Sequence, residues 1–400
     1  MTDWGLVREL FPIDSTKVYL DHMLLASHPK PVAHEVARLR RLFDKRPGQH
    51  WIENVVENDA RLHESCAEFI GGKPGEVAFV DSATMGLGIV IGGFRFRSGD
   101  EVIVCDQGHY SAHTAVDYAV KRLGVIKKEI SIYDQPYDVT EVEILRNILG
   151  SISPETRMIV MTWVHSSTGV KIPVKAISDT IKALNKDRPD HRQIRLLVDG
   201  VHGFGVEDFT VPELGCDFFI TSCHKWLFGP RGTGFVWFHP RTEPEVEPII
   251  PNYDIENFHA WVRREVYEPT MGQKLTPGGF CSFEHRWALP KAFSFHSELG
   301  RRAIQDRAFY LASLLKEGLR ETSGVKLVTP TDQNQSCSLV CFEIEGIATD
   351  DVISRLGEMG VYGTATPYYH SFPRFSPAFF NTDDECYQAV DCIASIARDR

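Results

Sequence analysis

The feature that most limits how this chain can fold is a regular alternation of short apolar segments with helical segments between residues 77 and 238. The apolar segments have the length and composition of buried strands, and they cover residues 77–80, 101–104, 158–163, 196–198, 218–221 and 234–238. Helical spacing is found between several of them, at residues 112–123, 140–149 and 174–184. This alternation predicts an α/β fold in which a mostly parallel sheet is covered by helices on both faces.

The rest of the chain predicts fewer elements. Before the alternating region, the patterns indicate a strand at 18–20 and helices at 31–46 and 58–70, with a break at Pro47-Gly48. After it come an irregular segment at 239–280, a long helical stretch at 286–321, a strand at 338–345, and helices at 350–359 and 385–398. These later elements predict a smaller α+β unit at the C-terminus.

Charge and cysteine usage exclude several classes of function. The 54 acidic residues outnumber the 43 Lys and Arg residues, which gives a formal charge of -11 and argues against nucleic acid as the main partner. No stretch is apolar for long enough to predict a membrane span, and the N-terminus does not resemble a signal peptide. Nine cysteines without C-x-x-C spacing are typical of reduced thiols, so we expect a cytoplasmic protein.

Two strand ends carry the most informative side chains. Asp199 ends one buried segment, and Ser222, His224 and Lys225 follow another. In an open parallel sheet, ligands bind at the carboxyl ends of the strands. A lysine that is partly removed from water has a lowered pKa, and its neutral amine can form a Schiff base with an aldehyde. The residues therefore predict a site in which Lys225 bonds to an aldehyde cofactor, Asp199 pairs with a protonated pyridine nitrogen, and Ser222 and His224 bind a phosphate.

The paired motifs DGVHGFG at 199–205 and CHKWLFGPRGTGF at 223–235 resemble those of fold-type I pyridoxal 5'-phosphate (PLP) enzymes. Within these, the chain looks most like the isopenicillin N epimerase-like branch of the class V aminotransferase superfamily. The resemblance implies that Lys225 bonds to the PLP aldehyde and that Asp199 holds the pyridine nitrogen. It also implies a large PLP-binding domain at 21–275, a small C-terminal domain at 276–400, and a segment at 1–20 that packs with the small domain.

The resemblance assigns further cofactor-binding residues. The backbone of Ser82, Ala83 and Thr84 precedes a helix and would bind the phosphate. His109 falls where relatives place a ring stacked on the cofactor, Ser166 would reach the phenolic oxygen, and His202 lies near the ring. Relatives more often have Tyr at the His109 position and Asn at the Ser166 position.

Substrate and subunit contacts follow from the same resemblance. Arg374 matches the arginine that binds a substrate α-carboxylate, for which a guanidinium is suited because it donates two parallel hydrogen bonds. His22 lies in an N-terminal segment that approaches the substrate in relatives, and the apolar residues 23–25 beside it favour a larger or more hydrophobic substrate, although they are equally consistent with packing. Thr276 or Ser282 would reach the cofactor phosphate of a neighbouring subunit, which implies a homodimer with its active site at the interface.

The type of reaction stays open at this point. Lys225 is the natural general base for removing the Cα proton of an amino acid. Epimerisation would need a second acid, for which His109, His165 and Tyr110 are candidates. A Cβ–S lyase, a transaminase, and a decarboxylating or cyclising enzyme are the alternatives. A cysteine desulfurase is disfavoured because residues 361–372, where such enzymes carry a nucleophilic cysteine, contain none.

Two other classes are less consistent with the sequence. His109 and His113 have the i, i+4 spacing of a metal site, but there is no H-E-x-x-H motif and no obvious carboxylate ligand, so no metal is predicted. A non-catalytic PLP-binding regulator would need a basic DNA-binding segment, and none fits before residue 70.

Overall fold

Three helices and one short strand precede the central sheet in the structure, a computed structural model that describes residues 2–399. They are α1 (Trp4–Arg8), β1 (Val18–Tyr19), α2 (Lys30–Lys45) and α3 (Pro47–Ile70). The break predicted at Pro47-Gly48 is a junction between two helices, and α3 begins there rather than at the predicted residue 58. Proline is well suited to the first position of a helix because its missing N–H would have no intrahelical partner there.

The alternating region forms one sheet of seven strands, mostly parallel as predicted. Its strands are β2 (Val77–Val80), β3 (Glu101–Cys105), β4 (Ile126–Ile130), β5 (Thr156–Thr162), β6 (Arg195–Asp199), β7 (Phe218–Ser222) and β8 (Gly234–Phe238), in the order β2-β8-β7-β6-β5-β3-β4. β8 runs antiparallel to the other six strands. The sequence patterns missed β4, whose residues 127–129 are all charged. This strand lies at the sheet edge, where charged side chains stay in water.

Both faces of the sheet are buried, which explains the apolar strands. Val77 and Phe79 pack into one apolar cluster, whereas Ala78 and Val80, which point the opposite way, pack into another. The helices that follow the strands are α4 (Ala83–Gly93), α5 (Tyr110–Leu123), α6 (Glu141–Ser151), α7 (Val174–Asn185) and α8 (Val211–Leu214). Because every strand except β8 runs in the same direction, six carboxyl ends meet at one edge of the sheet.

The segment after β8 contains more helix than predicted. It holds α9 (Ile255–Arg263), α10 (Met271–Leu275), α11 (Phe283–Arg286), α12 (Leu289–Leu299) and α13 (Arg301–Glu321). The prediction of one long helix at 286–321 was wrong, since the chain breaks between α12 and α13. Gly300 has a φ of 88° at the break, a left-handed backbone conformation that cannot continue an α-helix.

The C-terminal elements form a smaller layer with antiparallel strands. They are β9 (Val325–Leu327), β10 (Val340–Ile344), α14 (Thr349–Glu358), β11 (Val361–Tyr362), β12 (Thr364–Ala365), β13 (Pro373–Phe375) and α15 (Asp383–Arg398). Four strands pair in the order β12-β13-β10-β9, and β1 pairs in parallel with β11. This arrangement confirms the predicted fold class. Within residues 2–399, no helix has the length and apolar character needed to cross a membrane.

Candidate active site

Five charged or polar side chains from different parts of the chain lie within electrostatic range of one another at the carboxyl edge of the sheet. Asp199 and Arg374 both shift the pKa of Lys225. Lys225 in turn lowers the pKa of His109, and His202 responds to Lys225, Arg374 and His109. The structure therefore brings together the candidates for cofactor attachment, pyridine binding and carboxylate binding.

Lys225 lies in a tight turn after β7. The Gly229 N–H donates to the Cys223 carbonyl at 2.8 Å and closes this turn. Trp226, the next residue, is buried. Burial is the main cause that lowers the pKa of Lys225 to about 8; the Arg374 charge acts in the same direction, and the Asp199 carboxylate opposes it. About a tenth of this amine is therefore neutral at pH 7, far more than of an ordinary lysine, and the neutral form is the one that a nucleophile or general base requires.

Asp199 is the last residue of β6, and only 4% of it is exposed. Burial raises the pKa of this carboxyl, while the Val201 N–H, which donates to Oδ1 at 3.2 Å, and the Lys225 charge lower it. Gly200 is required beside it, because a Cβ there would come within 2.1 Å of the Phe219 ring. A buried carboxylate held in this way can pair with a protonated ring nitrogen.

His202 is hydrogen-bonded to the turn that carries Lys225. Its Nδ1 accepts a hydrogen bond from Trp226 Nε1 at 3.3 Å, and burial places its pKa well below the usual range for histidine. This bond joins the loop after β6 to the loop after β7, so it fixes Asp199 and Lys225 relative to each other.

The start of α4 and the end of β7 form a cradle for an anion. Ser82 caps the helix by accepting from the Met85 N–H at 3.2 Å, and the Ala83 N–H donates to Ser222 Oγ at 2.9 Å. No described residue accepts from the Thr84 N–H or pairs with the buried Nδ1 of His224. A helix N-terminus with free N–H groups attracts anions. These unsatisfied groups fit a phosphate.

His109 caps the start of α5. Its Nδ1 lies 2.7 Å from Ser111 Oγ. Burial, and then the positive charge of Lys225, lower the pKa of His109 to about 4, so the imidazole is neutral at pH 7. A neutral ring is suited to stacking on an aromatic cofactor and less suited to donating a proton.

Ser166 links the loop after β5 of the seven-stranded sheet to the four-stranded sheet. Its carbonyl accepts a hydrogen bond from Arg374 Nη1, and its Oγ lies 2.7 Å from the Tyr368 hydroxyl. Arg374 is almost completely buried and also donates from Nε to Thr364 Oγ1 at 3.0 Å. Tyr368 is a site residue that the sequence reasoning missed. It lies in the same stretch as Arg374, but the two short strands that flank it were not predicted, so no local sequence signal marked it.

Three other predicted residues make their contacts with other partners within the described chain. His22 packs against the Phe380 ring, with centroids 4.8 Å apart, and burial lowers its pKa to about 4. Thr276 caps α10, since its Oγ1 donates to the Gly272 carbonyl at 2.8 Å, whereas Ser282 is exposed just before α11. The predicted roles of His22 at the substrate, and of Thr276 or Ser282 at a neighbouring subunit, stay predictions.

Two candidates for the second acid are poorly placed. His165 is fully buried, and its Nδ1 already lies 2.7 Å from the Tyr133 hydroxyl. Tyr110 is 68% exposed at the start of α5, where its ring contacts that of His109.

Comparison with known proteins places the chain in a family. The sequence pattern described as aminotransferase class-V matches residues 19–365. The chain is 24% identical to isopenicillin N epimerase from Streptomyces clavuligerus, with 99% of each chain aligned. It is 22% identical to a probable cysteine desulfurase from Methanothermobacter thermautotrophicus, with 98% of this chain and 97% of the relative aligned.

Solved structures share the fold. A lysine variant of C-DES, described with glycine covalently linked to its PLP cofactor, superimposes with a TM-score of 0.85 at 18% identity, covering 98% of this chain and 99% of that one. The apo cysteine desulfurase of Thermococcus onnurineus gives a TM-score of 0.84 at 17% identity, covering 100% and 99%. These similarities confirm the predicted fold-type I architecture.

Proposed function

Since this chain belongs to the class V aminotransferase family of PLP-dependent enzymes, we propose that it inverts the configuration at Cα of an amino acid or an amino-acid-derived metabolite. The observation that carries the proposal is the position of Lys225, a partly buried amine with a pKa of about 8, beside the Asp199 carboxylate and the Arg374 guanidinium. The fold supplies an amine that can remove a proton and an arginine that can hold a carboxylate next to it.

The site residues fit PLP. Ser222, His224 and the N–H groups of residues 82–84 would hold its phosphate, Asp199 its pyridine nitrogen, and Ser166 its phenolic oxygen. His109 would stack on the ring. When bound, the cofactor withdraws electrons from Cα, which makes the Cα proton removable.

The chain's own residues would perform the proton transfer. Arg374 would bind the α-carboxylate and orient Cα, and the buried environment around Lys225 would exclude bulk water from the proton being moved. Lys225 would then take that proton as general base, for which a pKa close to the working pH is favourable.

Inversion is favoured over cysteine desulfuration by two observations. Relatives aligned along nearly the full chain are named isopenicillin N epimerase. Residues 361–372 contain no cysteine, and burial raises the pKa of Cys337 and Cys341 nearby, so neither is a reactive thiolate. This combination disfavours persulfide chemistry.

A Cβ–S lyase is the second candidate function. The absence of a cysteine from residues 361–372 also favours this reaction. No thiol there would capture the sulfur released from Cβ, and elimination would need only Lys225 as the base. Release of a thiol together with a keto acid would identify this reaction. A keto acid that retains the full carbon skeleton would indicate transamination instead.

The proposed function is tested by incubating the purified enzyme in D2O with isopenicillin N and with the common L-amino acids. Chiral chromatography follows the opposite configuration at Cα, and NMR follows loss of the Cα proton. We expect deuterium at Cα together with inverted product for at least one compound. Exchange without inversion for every compound would contradict an epimerase.

A pH dependence follows from the lowered pKa of Lys225. The amine must be neutral to attack an aldehyde, so the rate at which added PLP bonds to cofactor-free protein should rise with pH and level off above about pH 8. Stopped-flow absorbance measures this rate. A rate that continues to rise up to the ordinary pKa of lysine, about 10.4, would show that Lys225 is not perturbed.

We also propose a cytoplasmic homodimer. Large apolar side chains are exposed in residues 249–280, including Trp261 at 75%, Val266 at 93% and Phe280 at 77%. Exposed apolar surface of this kind marks protein interfaces, and Thr276 and Ser282 lie in or beside this segment. Sedimentation equilibrium should give twice the chain mass of 45.2 kDa, and a monomer at micromolar concentration would contradict the proposal.

A further inference from the structure

Resting on the proposed epimerase function, we propose that Tyr368 is the second acid–base residue, which delivers a proton to Cα on the side opposite Lys225. An epimerase removes a proton from one face of Cα and delivers a proton to the opposite face. An enzyme that does not use a single group on both faces therefore needs two acid–base groups. The structure places the Tyr368 phenol among the residues assigned to the cofactor and the substrate carboxylate.

The loop that carries Tyr368 is held in a fixed shape. It connects β12 with β13, and Thr366 closes it by two hydrogen bonds with Phe372, each 2.9 Å long. Ser371 Oγ adds a bond to the Thr366 carbonyl at 2.8 Å, and the Tyr368 N–H donates to the same carbonyl at 2.9 Å. Tyr368 is therefore not a mobile surface tyrosine, unlike its neighbour Tyr369, which is 98% exposed.

The hydroxyl of Tyr368 points into the site. Its oxygen lies 2.7 Å from Ser166 Oγ, and Ser166 is also bonded through its carbonyl to Arg374. Both Arg374 and Asp199 act on the phenol electrostatically. The phenol is therefore within electrostatic range of both the group that would hold the substrate carboxylate and the group that would hold the pyridine nitrogen, and we infer that it reaches the Cα of a substrate held by these groups.

The other titratable groups of the site are less suited to donate this proton. His109 and His202 are neutral imidazoles, and His202 Nδ1 is occupied by Trp226. His165 is bonded to Tyr133, and Tyr110 is exposed to solvent. Burial raises the pKa of Tyr368, so its phenol is protonated and available as a donor at neutral pH.

The proposed step balances without an oxidant or reductant. The Cα–H bond breaks toward Lys225 Nζ, and a new bond forms between Cα and the Tyr368 proton on the other side. Lys225 ends protonated and Tyr368 ends as a phenolate. Transfer of one proton from Lys225 to solvent, and of one from solvent to Tyr368, restores the starting state. The opposite enantiomer would react with the form that this step leaves, in which the Tyr368 phenolate takes the Cα proton and protonated Lys225 delivers one.

The test compares the holoenzymes of the wild type, Tyr368→Phe and Tyr369→Phe in D2O, with isopenicillin N and the common amino acids supplied as separate L and D isomers. Phenylalanine retains the ring but cannot transfer a proton. We expect Tyr368→Phe to lose inversion by about 10²–10⁴-fold, the usual contribution of one acid–base group. It should still exchange the Cα proton of the single isomer whose C–H faces Lys225, and Tyr369→Phe should behave as the wild type.

The results separate the two proposals. A wild type that inverts none of these compounds would contradict the epimerase function itself. If the wild type inverts a compound and Tyr368→Phe inverts it at the same rate, only the role of Tyr368 is overturned. Exchange of both isomers by Tyr368→Phe would also overturn it, because protons would then be exchanged on both faces of Cα without the phenol.

A purely structural role for Tyr368, in holding Ser166, gives a different pattern. In that case Tyr368→Phe and Ser166→Ala would shift the visible absorbance of the bound cofactor alike, and both would slow exchange of both isomers by the same factor as inversion. We expect instead that the spectrum of Tyr368→Phe stays close to that of the wild type. Spectra recorded without substrate make this readout independent of turnover.

Discussion

Replacing Lys225 with alanine should abolish covalent attachment of the cofactor and slow Cα proton exchange by about 10⁴-fold or more, the upper end for a lost general base. Lys225 is both the nucleophile toward the aldehyde and the group placed to remove the proton, so both properties disappear together. The measurement is borohydride reduction of the holoenzyme, followed by peptide mass spectrometry. The wild type should gain the cofactor mass on the peptide containing Lys225, and Lys225→Ala should gain none.

Lys316 provides a control inside the same chain. It is also buried, and its pKa is also lowered to about 8. However, its Nζ donates to the Pro330 carbonyl at 3.1 Å and to Ser336 Oγ at 2.7 Å, away from the sheet edge. Labelling of Lys316 would show that a lowered pKa alone selects the lysine, and would contradict the assignment of the site.

Added methylamine should restore part of the exchange in Lys225→Ala, since it replaces the missing amine.

The Asp199→Asn variant should lose about 10²–10³-fold in kcat, a typical cost of removing one preorganised electrostatic group. Asparagine retains the shape of the side chain and can still accept from the Val201 N–H, but it carries no charge to hold a proton on the pyridine nitrogen. Steady-state kinetics of inversion measures the loss. Asp208→Asn, which changes an exposed carboxylate in the segment after β6, is the matched control and should leave kcat unchanged.

The same variant has a second expected effect, on Lys225. The Asp199 charge raises the pKa of Lys225. Without that charge, the midpoint for PLP attachment should move below about pH 8. A midpoint that does not move would mean that the two side chains do not interact, and the site would then not be assembled as described.

Much of the fold was predictable because its signals are local. Strands buried on both faces are apolar throughout, and the helices between them have the 3.6-residue period, so both can be identified from short windows of sequence. The errors occurred where the local signal was weak or ambiguous. The charged edge strand β4 lacks an apolar face, and one glycine in an otherwise helical pattern did not show that Gly300 ends α12.

The residues of the site also divide into those that local sequence signals mark and those that only the folded chain brings together. The sequence by itself determined that Lys225 and Asp199 follow buried strands, and that Ser82, Ala83 and Thr84 precede a helix, because each of these is a relation between residues close together in the chain. Parallel strands that end at one edge then bring such residues near each other, whatever the details of packing.

Only the tertiary structure decided which distant residues complete the site. Ser166 meets Tyr368 and Arg374 across 202 and 208 residues of chain, and His22 packs against Phe380 in an aromatic cluster. Such contacts depend on how the smaller sheet and its loops pack onto the larger one, and no short window of sequence encodes this packing. For this reason Lys225 could be recognised from the sequence alone, whereas Tyr368 could be recognised only once the chain was folded.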